Sequence, residues 1–390
     1  MNIAFFTDTF IPEINGVATA TNTLFKTFRE HGHTCYVVCT NPYSDKLTYE
    51  DGVLRIPGIM LKKLYNYRMA GLFHPKATKI IRSWNLDVIH TQTEALVGIY
   101  GRMIASNFGI ALISTYHTML VDYTYYATHG IMDQTAKSIV KQFTKIISSA
   151  CTEFTTPSEK TKDALRSYGV NRYINVIPNG IDLSQFDSSK VSKEKIDEFK
   201  KKYHLEDTYI LLSLGRVAAE KSNDVILEGY NNYLKKNPKK KTVLVVVGDG
   251  PDKENLIHLS YELGIAENVI FIGAVPHSEV PFYYALADLY ISASVTETQG
   301  LTYIESMASK TLVLCRYDEN LEGVITDNKT GFFFSDDYTF TSRLEEIINM
   351  DEEKKKQIIE NAFEANKKYS MDVFYERMLE VYNRAIRKKW

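Results

Sequence analysis

The chain alternates short apolar runs with helical patterns, and it does so twice, with a polar interval between the two series. Parallel strands need a long crossover, usually a helix, so this alternation restricts the chain to open parallel sheets covered by helices on both faces. The first series reads as strands at Ile3–Thr7, Cys35–Thr40, Val88–His90, Leu112–Thr115, Phe154–Thr156 and Ile174–Ile177. Helical patterns fall between them, near Val17–Glu30, Pro75–Trp84, Leu96–Asn107, Asp133–Ala150 and Ser158–Tyr168. After VIPNGID (Val176–Asp182) the pattern lapses into a lysine-rich stretch. It resumes at Ile210 and continues through Val243–Val247, Val269–Ile272, Leu289–Ser292, Leu312–Leu314 and Phe332–Phe334. We therefore expect an α/β protein of two doubly wound parallel-sheet domains, 1–183 and 208–370, joined by a connector, 184–207. A C-terminal helix, 371–390, is free to return to the first domain. A chain of 390 residues exceeds one ordinary core, and its 44% hydrophobic content supports two. The cleft between two such domains is a favoured place for a ligand.

Several function classes drop out. A formal charge of -2 gives no global attraction to nucleic acid. No apolar run approaches the ~20 residues of a membrane span, so any membrane contact is expected to be peripheral. The opening MNIAFFTDTF reads directly as a strand rather than a signal peptide, which predicts a cytoplasmic protein. Cys35, Cys39, Cys151 and Cys315 lack metal-ligand spacing and read as buried, reduced thiols, and no metal site is expected.

The chemistry concentrates where strands end. In ADLYISASVTETQGLTYIESMAS (Ala287–Ser309) a strand, a polar loop ending at Gly300 and a helix opening near Leu301 or Thr302 offer free amides and a positive dipole to an anion such as a diphosphate. Glu297 in the loop and Glu305, expected in the first helical turn, frame the unit, and an acceptor-only carboxylate suits two adjacent ribose hydroxyls. LGRVAAEKS places Gly215, Arg216, Glu220 and Lys221 after the strand at Ile210, two cations able to clamp a diphosphate. Glu220 stands where a P-loop needs its second glycine, which rejects a P-loop nucleotidase.

After the first strand, Asn15-Gly16 precedes a helix, but the G-x-G-x-x-G of a dinucleotide site is missing. STYHTMLVDYTYYATHG puts His117 just past a strand end, followed by Asp122, Tyr123, Tyr125 and Tyr126. No nucleophile motif accompanies the histidine, so no hydrolase triad is read. The tyrosines suit an acceptor with polar and greasy parts, and core packing accounts for them nearly as well. VVVGDGP, with Gly248, and FIGAVPH, Gly273–His277 with Val275, are candidate walls of a base pocket and are also adequate turns. IMLKKLYNYRMAGLF (Ile59–Phe73) mixes apolar residues with Lys62, Lys63 and Arg68, as an interfacial segment or an ordinary amphipathic element does.

In order, NGV at Asn15–Val17, YHT at Tyr116–Thr118, VIPNGID, GR-x4-K at Gly215–Lys221, GDGP and Glu297-x7-Glu305 resemble glycosyltransferase family 4 over nearly the whole chain. ETQGLTYIE, with YHT and its tyrosines, is similar to the bacterial enzymes that glucosylate diacylglycerol. The resemblance implies a GT-B fold of two Rossmann-like domains and retaining transfer of a hexose, glucose from UDP-glucose, onto diacylglycerol at the inner face of the cell membrane. No obligatory metal or other cofactor is implied. The departing phosphate oxygen would take the acceptor's proton, so no protein base is needed. Arg216 and Lys221 would hold the diphosphate, assisted by amides of Gly16, Gly300, Leu301 and Thr302. Glu305 would bind ribose, with Gly248 and Val275 lining the donor site. Glu297 and His117 would contact the hexose, Asp122, Tyr123 and Tyr126 the lipid acceptor, and Lys62, Lys63 and Arg68 an anionic membrane surface. Ser222 replaces a common glycine, and YDENLEG (Tyr317–Gly323) lacks the usual glycine-rich turn. Two alternatives stay open: a saccharide or glycolipid acceptor in cell-surface polysaccharide synthesis, and a GT-B sugar-nucleotide epimerase.

Overall fold

The computed structural model describes residues 1–13, 15–61, 67–117, 133–295 and 299–389. They form two compact units, Met1–Gly180 together with Met371–Trp390, and Ile181–Ser370. The stretch expected as a connector is part of the second unit. Its helix Lys193–Tyr203 packs Ile196, Phe199 and Tyr203 on the core, and Phe186 and Leu205 are buried in it. The lysines that made it read as linker lie on the helix's solvated side.

The first sheet uses β1 (Asn2–Thr7), β2 (Thr34–Thr40), β3 (Thr48–Glu50), β4 (Val53–Ile56), β7 (Val88–Thr91), β8 (Ala111–Thr115), β9 (Glu153–Thr156) and β10 (Asn175–Val176). Their spatial order is β10-β9-β8-β7-β1-β2-β4-β3, parallel except for β3 on β4. Helices α1 (Gly16–Glu30), α2 (Pro75–Arg82), α3 (Leu96–Phe108), α4 (Asp133–Ser149) and α5 (Glu159–Ser167) belong to this unit. The apolar run in β1 is buried throughout from Ile3 to Thr7, because helices cover both faces of the sheet. The order reverses between β1 and β7, and such a switch point opens a crevice at the strands' carboxyl ends.

In the described parts of Ile59–Phe73, β5 (Gly58–Leu61) and β6 (Tyr67–Ala70) pair antiparallel. Arg68 is turned inward, its guanidinium donating to the Gly58 carbonyl at 3.0 Å and pairing with Asp45. With its side chain 11% exposed, it is not a free cation for a lipid surface. Lys62 and Lys63 lie outside the described residues.

The second sheet has the order β13-β12-β11-β14-β15-β16, with every pair parallel. Its strands are β11 (Tyr209–Leu214), β12 (Thr242–Val247), β13 (Val269–Gly273), β14 (Leu289–Ser292), β15 (Leu312–Arg316) and β16 (Phe332–Phe334). Numbered within the unit this is the 3-2-1-4-5-6 order of nucleotide-binding sheets, with the switch point between β11 and β14. The helices are α6 (Lys193–Tyr203), α7 (Asn223–Lys236), α8 (Lys253–Glu262), α9 (Val280–Leu286), α10 (Leu301–Ala308), α11 (Asp337–Ile348) and α12 (Glu352–Asn366).

The last helix, α13 (Met371–Lys389), returns to the first unit. Phe374, Met378, Val381, Tyr382 and Ala385 enter a core with Phe5, Phe28 and Val88. Tyr382 Oη lies 2.7 Å from His90 Nδ1, and His90 Nε2 lies 2.6 Å from Thr115 Oγ1. Burial, with His117 nearby, holds the His90 imidazole well below its ordinary pKa, and a neutral ring uses one nitrogen as donor and the other as acceptor. At the helix end Arg384 and Lys388 donate to the buried Glu153 of β9 at 2.9 and 2.6 Å. Burial alone would push the Glu153 carboxyl up, but bonds from Arg384, Lys388 and Asn175 outweigh it and hold its pKa down to about 2.

A depressed folded-state pKa stabilises the fold above the unfolded value of 4.5, and that contribution is lost as pH falls toward 2. Both cations are partly solvated, which reduces the effect to about 2 kcal/mol. Glu153→Gln is therefore expected to melt below wild type at pH 7, with the difference shrinking below pH 4.5. Paired thermal melts across that window check it.

Candidate active site

On the β11 side of the second unit's switch point, two loops lie backbone against backbone. Gly215 leaves β11 at φ 147° and Gly248 leaves β12 at φ 138°. A Cβ on Gly248 would sit 1.8 Å from the Gly215 carbonyl oxygen, and one on Gly250 would sit 2.1 Å from that of Val217. Glycine at 248 is thus required by packing, whatever else it contacts, and GDGP shapes the loop that carries Arg216. The Arg216 side chain is 67% exposed, with Nη1 3.7 Å from Glu220 Oε1. Lys221 ends the one-turn helix Ala219–Lys221, and Ser222 follows it at φ 50°. That left-handed backbone suits glycine better than serine.

Across the switch point, Gly300 caps α10 at φ 72°, where a Cβ would meet Tyr303 Cδ2 at 2.5 Å and Leu321 Cδ2 at 2.9 Å. Leu301 and Thr302 head the helix, ahead of the Tyr303 N–H, which donates to Gly300 O at 3.1 Å. Their amides belong to the end that attracts anions. Glu305 lies in the second turn rather than the first, because the helix begins at Leu301, and this depth buries it. Tyr284 Oη is 3.1 Å from Glu305 Oε2 and 3.0 Å from the Thr302 carbonyl, so one phenolic proton serves two acceptors. On the open side, His277 Nε2 stands 3.9 Å from Glu305 Oε1. The adjacent Glu305 raises the His277 pKa against the lowering effect of burial. Val275 is half-buried in the loop after β13 and packs on the core. Glu297 lies outside the described residues.

In the first unit Asn15 caps α1 by accepting from the Ala18 N–H at 2.9 Å, and Gly16, its first residue, is exposed with open space about its Cα. Asp8, after β1, accepts from the Val97 N–H at 3.0 Å and from Thr93, so it caps α3 across the switch point. His117, just after β8, bonds Gln92 Oε1 through Nε2 at 2.7 Å. Burial pushes its pKa down to about 4, so the ring is neutral at pH 7. With the amide oxygen facing it, Nε2 carries the proton and Nδ1 is the ring's acceptor. Among the described residues, Gln92 Nε2 and Glu94 Oε1 are buried without a hydrogen-bond partner. Burial, opposed by Arg102, raises Glu94 to about 8, a neutral acid at pH 7. Asp122, Tyr123 and Tyr126 fall outside the described residues.

Comparison with known proteins now bears on these two sheets. Residues 14–185 match the profile described as Glycosyltransferase Family 4, and residues 194–365 match that of Glycosyl transferases group 1. An alpha-monoglucosyldiacylglycerol synthase of Streptococcus pneumoniae is 35% identical over 389 residues, covering 99% of this chain and 86% of the relative. The chain belongs to glycosyltransferase family 4. A second relative with that printed name, from Acholeplasma laidlawii, is 29% identical over the full length of both chains. Among solved structures, Anabaena HepE in complex with UDP superposes with a TM-score of 0.76 at 16% identity, covering 98% of this chain and all of that one. The fold of this family 4 chain is GT-B.

Gln92, Glu94 and Tyr284 were not singled out in the sequence, and His277 was read only as part of a candidate base-pocket wall, Gly273–His277. Gln92 and Glu94 follow the end of β7, a position that signals a ligand edge. Tyr284 is masked in sequence by its apolar helix. No spacing rule links His277 to Glu305, since their contact is tertiary.

Proposed function

We propose that this family 4 chain transfers glucose from UDP-glucose to the free hydroxyl of diacylglycerol, with retention, at a membrane surface. The observation that carries the reading is that Arg216 and Lys221, after β11, and the Gly300–Glu305 helix start, after β14, follow the carboxyl ends of adjacent parallel strands flanking one switch point. A nucleoside diphosphate needs cations and amides for its phosphates and a carboxylate for its ribose, and this edge supplies all three. Glucose and diacylglycerol come from the names of the two full-length relatives. The alpha linkage in those names, formed from an α-linked donor, accords with retention. In the proposed reaction the acceptor oxygen bonds to the sugar's anomeric carbon as the bond to the β-phosphate breaks, and the acceptor's proton passes to the departing phosphate oxygen. Arg216 and Lys221 offset the charge that develops there. The Gly16 amide is proposed to assist at the diphosphate, and the neutral His117 to meet the hexose, Nδ1 accepting from a sugar hydroxyl.

Among the described residues no helix is long and apolar enough to cross a membrane, so the proposed bilayer contact is peripheral. With two protein cations for the diphosphate, turnover is proposed to persist in chelator.

The test is incubation of the purified protein with UDP-glucose and diacylglycerol in anionic micelles containing EDTA, following UDP release and glycolipid mass. The expected product is a monoglucosylated lipid. UDP release only with a saccharide acceptor, or epimerisation of the donor without acceptor, would overturn the lipid reading.

A further inference from the structure

The carboxylate of Glu305 is only 11% exposed, and Tyr284 Oη, an uncharged donor to it among the described residues, divides its proton with the Thr302 carbonyl. A buried carboxylate is costly unless its acceptor sites are matched by donors. The structure provides one further group on its open side. Pro276 delivers the chain from the loop after β13 into the turn His277–Glu279, and Phe186 packs edge-on to His277 at 6.2 Å and to Tyr284 at 6.1 Å. One aromatic ring thus buttresses both groups that face Glu305.

We propose that His277 is a positioning residue for Glu305, its Nε2 holding Oε1 so that the carboxylate presents its two remaining acceptor sites to the paired hydroxyls of a donor ribose. The inference rests on the reading above that Glu305 binds ribose. A carboxylate has about four lone-pair directions. Tyr284 uses one on Oε2 and His277 faces one on Oε1, which leaves one on each oxygen, the pattern two adjacent hydroxyls require. The present 3.9 Å is a charge contact rather than a hydrogen bond, so it tightens when the hydroxyls draw the carboxylate outward. Glu305 also favours the protonated, donating form of His277.

The experiment is calorimetric titration of full-length wild type, His277→Ala, His277→Gln and Glu305→Gln with UDP and with 2′,3′-dideoxy-UDP. The His277 side chain is 67% exposed, so its removal leaves the core intact, which melting curves verify. His277→Ala is expected to weaken UDP about five- to tenfold while leaving dideoxy-UDP within about twofold. His277→Gln recovers part of the loss, and in turnover the donor KM rises more than kcat falls. Equal losses for both ligands in His277→Ala would overturn the positioning role while leaving the Glu305 assignment standing. A Glu305→Gln protein that binds both ligands like wild type would instead remove Glu305 from the ribose, and the inference with it.

Discussion

Lys221→Ala is expected to lower kcat by about a hundredfold or more with far-UV circular dichroism and melting temperature unchanged. The ammonium follows β11 by one short turn and precedes α7, so it is fixed by the turn Ala219–Lys221 rather than carried on a mobile tail. Its proposed work is done late, when the bond to the phosphate breaks and charge accumulates on UDP. A contact of that kind is stronger in the transition state than in the bound substrate, so its loss appears in kcat more than in donor KM. Arg216, already near Glu220, cannot replace it, because a single guanidinium would then face the whole developing charge. Stopped assays at saturating donor, paired with melts, check the result. Near-normal turnover in a folded variant would take Lys221 out of the chemistry.

The second large effect concerns stability. Tyr382→Ala is expected to cost about 3–5 kcal/mol, because the ring is fully buried among Phe28, Val88 and Ile113 and the surroundings collapse only partly around a lost aromatic. Tyr382→Phe keeps the ring and removes only the hydroxyl that meets His90 Nδ1, and about 1–2 kcal/mol is expected from the unpaired buried nitrogen. Chemical denaturation should show the first unit's transition moving while the second's stays in place, since two units need not unfold as one. A single transition moving as a whole would mean that the units unfold together.

The second sheet was largely legible because each of its strands is a short apolar run, and glycines mark the ends of β11, β12 and β13. Leu289–Ser292 and the helix start at Gly300 fall where periodicity places them. The edge of the first sheet was not. β3 is three exposed residues, Thr48, Tyr49 and Glu50, whose strand character comes from pairing with β4 rather than from any pattern of their own. The β5–β6 pair carries basic and apolar residues in a mixture that periodicity assigns to a helix face as readily as to a strand. Likewise α13 shows an apolar stripe in sequence, but a stripe does not name its partner, and only the fold brings Arg384 and Lys388 to Glu153. At the site, motif order singled out Arg216, Lys221, Gly300 and Glu305 as candidates. The depth of Glu305, the reason for Gly248 and the groups around His117 depend on tertiary packing that local spacing does not encode.

The discontinuity of the first unit has a consequence for biosynthesis. Its core is closed by α13, yet all of Ile181–Ser370 is translated between Gly180 and that helix. At ordinary elongation rates this leaves the nascent sheet waiting on the order of 10–40 s. Throughout that interval the face later covered by α13, with Phe5, Phe28 and Val88, stands open on the ribosome. The second unit, contiguous in sequence, waits on no distant segment, whereas the first unit's core is completed only by the last helix to be synthesised.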